Sequence, residues 1–360
     1  MKIGIVLHPF GEEHPAGLAR TILELAKGLI SLKTEHEFII YVKDKPRLAL
    51  DFPPGNWRVQ ALGGGRLWLE RLCRAERADV YLFNTPVLPV AKKPGPAVVI
   101  ALDFAYWLLP ARSWSARWRR LATYGYHWLS LKRADRVIAI SQATKDDLKR
   151  FFHARPERVD VVYCGYRRIS RIPEIPVAAP EHFFLFVGVV KERKNVRRVV
   201  RAFAAVADKL PAMQLVIGGH AAGEYAESIR QFIEDKRLEH RVTWLGHLND
   251  GQLSYLYKRA TALVFPSLIE GFGFPVLEAM DAGLPVITSR GSSLGEIALD
   301  SAWLVDPLDE GDIARALSRL ASDPALREKL RERGLARASQ FSWEKAARET
   351  LDILERAGGK

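Results

Sequence analysis

Cysteine is nearly absent. The 360 residues contain two, Cys73 and Cys164, far apart in the chain. A disulfide framework is therefore excluded, no Cys/His spacing suits zinc, and a reducing cytosol is the expected setting. Long uncharged runs are missing too. The longest stretch without Asp, Glu, Lys or Arg is Leu210–Gly223, 14 residues, whereas a membrane-spanning helix needs about 20 apolar residues. The opening MKIGIVLHPFGEEHP has neither a long apolar run nor a small-residue cleavage site, so no secretion signal is expected. Otherwise the composition is that of a globular protein, 48% hydrophobic and 27% charged, which excludes a disordered chain.

Acidic charge is scarce in one half only. Residues 1–180 carry 29 Lys/Arg against 17 Asp/Glu, and residues 181–360 carry 25 against 25. The whole net charge of +12 thus lies in the first half. Such asymmetry points to an anionic partner: a membrane surface, an acidic ligand or nucleic acid. No acid interrupts the segment between Asp103 and Asp135, which carries Trp114, Arg117, Trp118, Arg119, Arg120 and Trp128. Trp114, Trp118, Leu121, Gly125 and Trp128 follow helical spacing. Basic and aromatic residues in that pattern suit a membrane interface, and packing on a sheet is the competing expectation. A second stretch, Gly65–Arg74, has the same character.

What is present is alternation. Apolar, β-rich runs start at Lys2, Glu37, Arg58, Asp79, Ala97 and Arg136, and again at Phe183, Met213, Val242, Ala262, Pro285 and Trp303. Helical patterns lie between most of them. Continuous apolar strands separated by helices predict parallel sheets covered on both faces, an α/β protein with two Rossmann-like domains. Pro173, Pro176 and Pro180 fall where no periodic pattern runs, so residues 173–180 are expected to link a domain 1–172 to a domain 181–340. Residues 341–360 add a terminal helix expected to pack back on the first domain.

Two motifs carry chemistry. FPSLIEGFGFPVLEAM follows a strand and opens a helix. Gly271 and Gly273 permit close approach of a ligand to the backbone, and Pro275 suits a first helical turn. Free amides at the turn suit an anionic or hydroxylated ligand. Glu270 and Glu278 stand eight residues apart, and a carboxylate accepting two hydrogen bonds side by side suits a vicinal diol such as a ribose. FVGVVKERKN places Arg193 and Lys194 where a strand turns into a helix, the end of an α/β sheet at which ligands bind. Two cations there suit a diphosphate.

In these motifs and their order, the second half resembles the retaining glycosyltransferases of family 4, the group 1 glycosyltransferases with the GT-B fold. Its E-x7-E pair falls on Glu270 and Glu278, and its RK pair on Arg193 and Lys194. GLARTILELAKGL, AISQATKDDLKRFF and VVYCGYR resemble family segments of the first half. The resemblance implies two Rossmann-like domains facing across a cleft, with Gly17 in a loop near it. It implies a nucleotide-sugar donor, GDP-mannose or a UDP-sugar, whose hexose passes with retention to a lipid- or glycan-linked acceptor, as in bacterial surface polysaccharide or lipopolysaccharide synthesis. Donor contacts would come from Gly188, Arg193, Lys194, Gly271, Phe272, Gly273, Phe274 and Glu278, with Glu270 orienting the sugar. No cofactor is implied, since the nucleotide-sugar is a substrate. No Asp-x-Asp occurs, so a metal-independent reaction is expected, with basic side chains meeting the diphosphate. The chain departs from the family at Leu102, where a histidine is often found before Asp103, and at Val189, where many members have Arg. Asp103 or another group must then substitute for that histidine, or the pair is dispensable. The expected setting is cytoplasmic, peripheral on the inner face of the membrane, with no nucleic acid bound. A soluble acceptor, nucleotide-sugar epimerisation and nucleic-acid binding are the competing readings.

Overall fold

The computed structural model describes residues 1–7, 18–44, 51–65, 67–108 and 113–359, with the side chains of residues 18–20 left aside. Two compact units result. The first comprises Met1–Gly165 and Phe341–Lys360, the second Tyr166–Gln340.

The first unit holds β1 (Lys2–Leu7), α1 (Leu18–Ser31), β2 (Glu37–Val42), β3 (Trp57–Ala61), β4 (Val80–Phe83), β5 (Ala97–Ala101), α2 (Ala105–Leu108), α3 (Trp114–Arg133), β6 (Arg136–Ala139), α4 (Gln142–Phe152) and β7 (Val159–Val161). Its seven strands lie in the order β3-β2-β1-β4-β5-β6-β7, and every pairing is parallel. β4 and β5 are buried throughout, which is why their sequences are continuously apolar rather than alternating.

The second unit repeats the plan. It holds β8 (Phe183–Val187), α5 (Val196–Ala204), β9 (Gln214–Gly218), α6 (Glu224–Asp235), β10 (Val242–Gly246), α7 (Asp250–Tyr257), β11 (Ala262–Phe265), α8 (Phe274–Asp281), β12 (Val286–Ser289), α9 (Ser292–Ala298), β13 (Trp303–Val305), α10 (Glu310–Ser322) and α11 (Pro324–Ala338). Its all-parallel sheet runs β10-β9-β8-β11-β12-β13. The winding direction reverses between β8 and β11, and such a switch point leaves a crevice beyond the strand ends. The last helix, α12 (Trp343–Ala357), returns to the first unit. It buries Ala347, Leu351 and Leu354 and packs on α1.

The division of the chain departs from the expected one. Residues 166–180 belong to the second unit, and the proline-bearing stretch 173–180 is held there rather than acting as a free linker. Ile169 is fully buried. The carbonyls of Ile169 and Ile172 accept from Ser254 Oγ at 3.2 and 2.9 Å, and Ile175 N donates to Gly251 O at 3.1 Å. Proline removes a donor but leaves its neighbours free to bond, so a stiff extended segment can be fastened along α7.

Candidate active site

The site grows from the two strands that flank the switch point. Phe186 of β8 and Phe265 of β11 stack at 5.9 Å near the ends of both strands. Beyond β8 the chain passes Gly188, at φ +141°, whose N–H bonds Gly218 O at 2.8 Å. A short 3-10 turn, Glu192–Lys194, follows. Beyond β11 it runs through Glu270 to Gly273, at φ +118°. A side chain there would be strained by that backbone conformation, and its Cβ would lie 2.7 Å from Leu294 Cδ2. α8 starts immediately after, with Pro275 in its first turn.

The two turns are bolted together. Leu268 N donates to Arg193 O at 2.8 Å. Asn195 Nδ2 donates to Pro266 O and Pro307 O at 3.0 and 2.6 Å. Ser289 Oγ donates to Ser267 O at 2.6 Å, and Ser293 Oγ to Glu270 O at 2.8 Å. Into this frame the Glu270 carboxylate is set, bonded to Lys194 Nζ at 2.5 Å and to Arg193 Nη1 at 3.1 Å. Arg193 also reaches Ile269 O at 3.2 Å. Lys194 Nζ stands 4.8 Å from the Phe265 ring centroid. The RK pair and the first glutamate therefore form one ion cluster, two cations on one carboxylate. It keeps a surplus positive charge in a largely buried place, where charge acts more strongly than in water. Gly271, Phe272 and Gly273 are buried beside it, and the rings of Phe272 and Phe274 lie 5.2 Å apart.

Glu278 has its own partners. It is 8% exposed, accepts from Arg167 Nη2 at 3.0 Å and accepts from Tyr257 Oη at 3.4 Å. Tyr257 is fully buried, and burial together with the Glu278 charge pushes its phenol far above the usual range, so it stays a donor. Burial alone would weaken the Arg167 cation, but Glu278 and Asp250 outweigh it and raise its pKa. Arg167 is a site residue that the sequence reading missed. Its carboxylate partners stand 83 and 111 residues further along the chain, and no local spacing announces them.

The remaining expected residues lie in the first unit. Asp103 is exposed, and its Oδ1 accepts from Ala105 N at 3.1 Å at the start of α2. Gly17 falls outside the described residues. α3 begins at Ser113, whose side chain accepts from Ala116 N. It is anchored by Trp107 stacked on Tyr124 at 4.4 Å, Tyr124 on Phe152 at 4.9 Å, and Tyr126 Oη donating to Leu88 O at 2.8 Å. His127, bonded to Tyr106 Oη at 3.0 Å, is lowered to about 4 by burial.

The aromatic stripe of α3 points outward. Trp114 is 71% exposed, Trp118 59% and Leu121 51%, and the two indoles meet edge to face at 6.0 Å. Arg117 and Arg119 are exposed beside them, without an ion pair among the described residues, while Arg120 sits over Trp107 at 5.1 Å. Trp128 departs from the expected stripe, half-buried with Lys132 Nζ 3.9 Å from its ring. The second basic-aromatic stretch is core: Trp68, Leu69 and Leu72 are buried in a 3-10 helix, Trp68–Arg74. Among the described residues no helix is long and apolar enough to cross a membrane.

Each unit matches one family model. Residues 15–167 match the model described as Glycosyltransferase Family 4. Residues 170–337 match that of Glycosyl transferases group 1. O-antigen chain mannosyltransferase B of Escherichia coli is 31% identical over 236 residues, 63% of this chain and 62% of the relative. O-antigen chain mannosyltransferase RfbU of Salmonella typhimurium is 30% identical over 196 residues, 54% of each. The matched region thus spans less than two thirds of these relatives' length.

Three solved structures share the whole fold. Sucrose-phosphate synthase from Thermosynechococcus elongatus superposes with a TM-score of 0.77 at 21% identity, covering 99% of this chain and 98% of that one. Anabaena Alr3699/HepE in complex with UDP and glucose gives 0.75 at 19%, covering 99% of each. WaaG, a glycosyltransferase involved in lipopolysaccharide biosynthesis, gives 0.71 at 18%, covering 98% of this chain and 99% of that one. With a family model on each unit and this fold throughout, the chain belongs to glycosyltransferase family 4, the group 1 glycosyltransferases of the GT-B fold.

Proposed function

We propose that this protein is a retaining, metal-independent glycosyltransferase of surface polysaccharide or lipopolysaccharide synthesis. It moves a hexose from GDP-mannose or a UDP-sugar to a lipid- or glycan-linked acceptor at the inner face of the membrane. The observation that carries this reading is the ion cluster at the switch point, Arg193 and Lys194 on Glu270. As the bond from the anomeric carbon to the diphosphate breaks, its electron pair stays on phosphate, and charge grows where the two cations already stand. Preorganised groups of this kind act without reorganising at the moment of reaction. Glu270, held between them, is oriented to meet sugar hydroxyls. The Gly271–Phe274 amides face the donor, Gly188 leaves room at the end of β8, and Glu278 takes the ribose diol. Asp103 is assigned to the acceptor side. The names of the O-antigen mannosyltransferases and of WaaG support surface polysaccharide as the destination, and the UDP and glucose bound in the HepE complex support a nucleotide-sugar donor.

The exposed indoles of Trp114 and Trp118 with Arg117 and Arg119 favour peripheral attachment to anionic lipid over a soluble acceptor. The test is a donor screen. Purified protein is given UDP- and GDP-sugars with a lipid-linked oligosaccharide, and nucleoside diphosphate release and product anomeric configuration are followed with and without EDTA. Acceptor-dependent release with retained configuration, insensitive to EDTA, is expected. Inversion, or rescue of an EDTA-silenced enzyme by magnesium, would overturn the mechanism.

A further inference from the structure

Asn195 ends the turn that carries Arg193 and Lys194, and its side chain fastens that turn to the rest of the sheet. It is 1% exposed and stands in the left-handed region at φ +63°, which asparagine tolerates better than most residues with a side chain. Its carboxamide makes three hydrogen bonds. Oδ1 accepts from Arg198 Nη1 at 3.0 Å. A guanidinium only donates, so this bond decides which end of the amide is oxygen. Nδ2 is thereby turned on two carbonyls, Pro266 O at 3.0 Å and Pro307 O at 2.6 Å. Pro266 follows the end of β11, and Pro307 lies just beyond β13, which stands three places from β8 in the sheet. One side chain thus ties the turn after β8 to two other strand ends. The two cations depend on this clamp unequally. Arg193 has ties of its own to the facing turn: its carbonyl accepts from Leu268 N at 2.8 Å, and its Nη1 donates to Ile269 O at 3.2 Å. Lys194 is the direct neighbour of Asn195. Its Nζ meets Glu270 at 2.5 Å and lies 4.8 Å from the Phe265 ring, and Phe265 immediately precedes the clamped Pro266. The clamp therefore joins the base of the lysine to the strand end that carries its ring contact. Lysine is a point charge on a flexible stem, so where its backbone stands decides where the ammonium can reach.

We propose that Asn195 is the positioning residue of Lys194: its carboxamide sets the ammonium where the leaving diphosphate gathers charge. The proposal rests on the reading that Lys194 acts on that diphosphate. A double-variant cycle on the full chain, with turnover of the UDP- and GDP-sugars of the donor screen as the readout, separates the two. Asn195→Gly keeps the left-handed turn without strain and removes only the clamp. In the unaltered protein it is expected to lower turnover by roughly 10- to 10²-fold, the upper figure being the cost of a misplacement of about 1 Å. In a Lys194→Ala background the same change is expected to cost no more than about twofold, because the group it positions is already gone. A merely structural role would cost the same in both backgrounds. If none of the sugars turns over, or if Lys194→Ala keeps full turnover, the diphosphate reading falls and the proposal with it. If Lys194→Ala lowers turnover while Asn195→Gly either keeps it or costs equally in both backgrounds, the reading stands and the proposal is overturned. Should Asn195→Gly fail to fold in a melting experiment, Asn195→Asp decides by the same cycle: it keeps the size of the side chain and tolerates the turn but has no N–H to offer the two carbonyls, and an equal cost in both backgrounds overturns the proposal.

Discussion

The two units share one winding and use charge in opposite ways. Both sheets reverse direction after their first strand, at β1/β4 and at β8/β11. The first unit carries 30 Lys/Arg against 20 Asp/Glu and the second 24 against 22. In the second, the cations that matter are turned inward and matched: Arg193 and Lys194 to Glu270, Arg167 to Glu278 and Asp250. In the first, Arg117 and Arg119 face water beside bare indoles. Buried, matched charge is specific, because its geometry is fixed and desolvation magnifies each misplacement. Exposed, unmatched charge attracts any anionic surface and fades with salt. On the proposed function, chemistry belongs to the second unit and docking to the first.

The largest expected effect lies in the ion cluster. Lys194→Ala or Arg193→Ala should lower turnover by roughly 10²–10³, as for the loss of one preorganised electrostatic donor. Turnover within a few-fold of the unaltered protein would move the chemistry elsewhere. Acid should then separate the units by stability. His127 is held near 4, below its ordinary 6.5, by burial in the first unit. The folded state therefore disfavours the imidazolium, while the unfolded chain binds a proton as pH drops through 6.5. Stability is fully present above 6.5 and is lost as pH falls from 6.5 towards 4, by up to roughly 3 kcal/mol. Melting experiments should show that loss, and His127→Gln should flatten the slope. An equal slope in the variant would place the acid sensitivity elsewhere.

Next comes the ribose. Glu278→Ala should weaken nucleoside diphosphate affinity by about 1.5–3 kcal/mol, read by calorimetry, and unchanged affinity would remove Glu278 from the site. The smallest single effects belong to the docking face. Each Arg on α3 is worth about 1 kcal/mol at an anionic surface. Changing Arg117 and Arg119 to Glu should cut co-sedimentation with anionic vesicles, and salt should do the same to the unaltered protein. Equal binding to neutral and anionic vesicles would contradict an electrostatic dock.

Much of this was legible in the sequence wherever a pattern is local. Twelve of the thirteen strands among the described residues appear as apolar runs. β7 does not, because it is three residues long with Asp160 at its centre. The site motifs were legible for the same reason: strand, turn and helix lie within a dozen residues, and a glycine turn has few alternatives. The pairing of Glu270 with Lys194 and Arg193, 76 and 77 residues away along the chain, was not, since it needs β8 beside β11. Arg167 was hidden likewise. The outward face of α3 was ambiguous because aromatics occupy both sides, with Tyr124 and Tyr126 anchoring it and Trp114 and Trp118 free. The prolines misled about the boundary, since stiffness alone does not tell a free linker from a segment fastened to a helix.

Turnover on one acceptor presented in two ways tests the division of labour most directly. The lipid-linked acceptor is supplied in anionic vesicles or dispersed in neutral detergent, to the unaltered protein, to a variant with Arg117→Glu and Arg119→Glu, and to Lys194→Ala. The docking variant should lose turnover on vesicles and keep it in detergent, while Lys194→Ala should lose it in both. A docking variant equally impaired in detergent, or a Lys194→Ala enzyme active in either, would contradict the assignment of docking to the first unit and chemistry to the second.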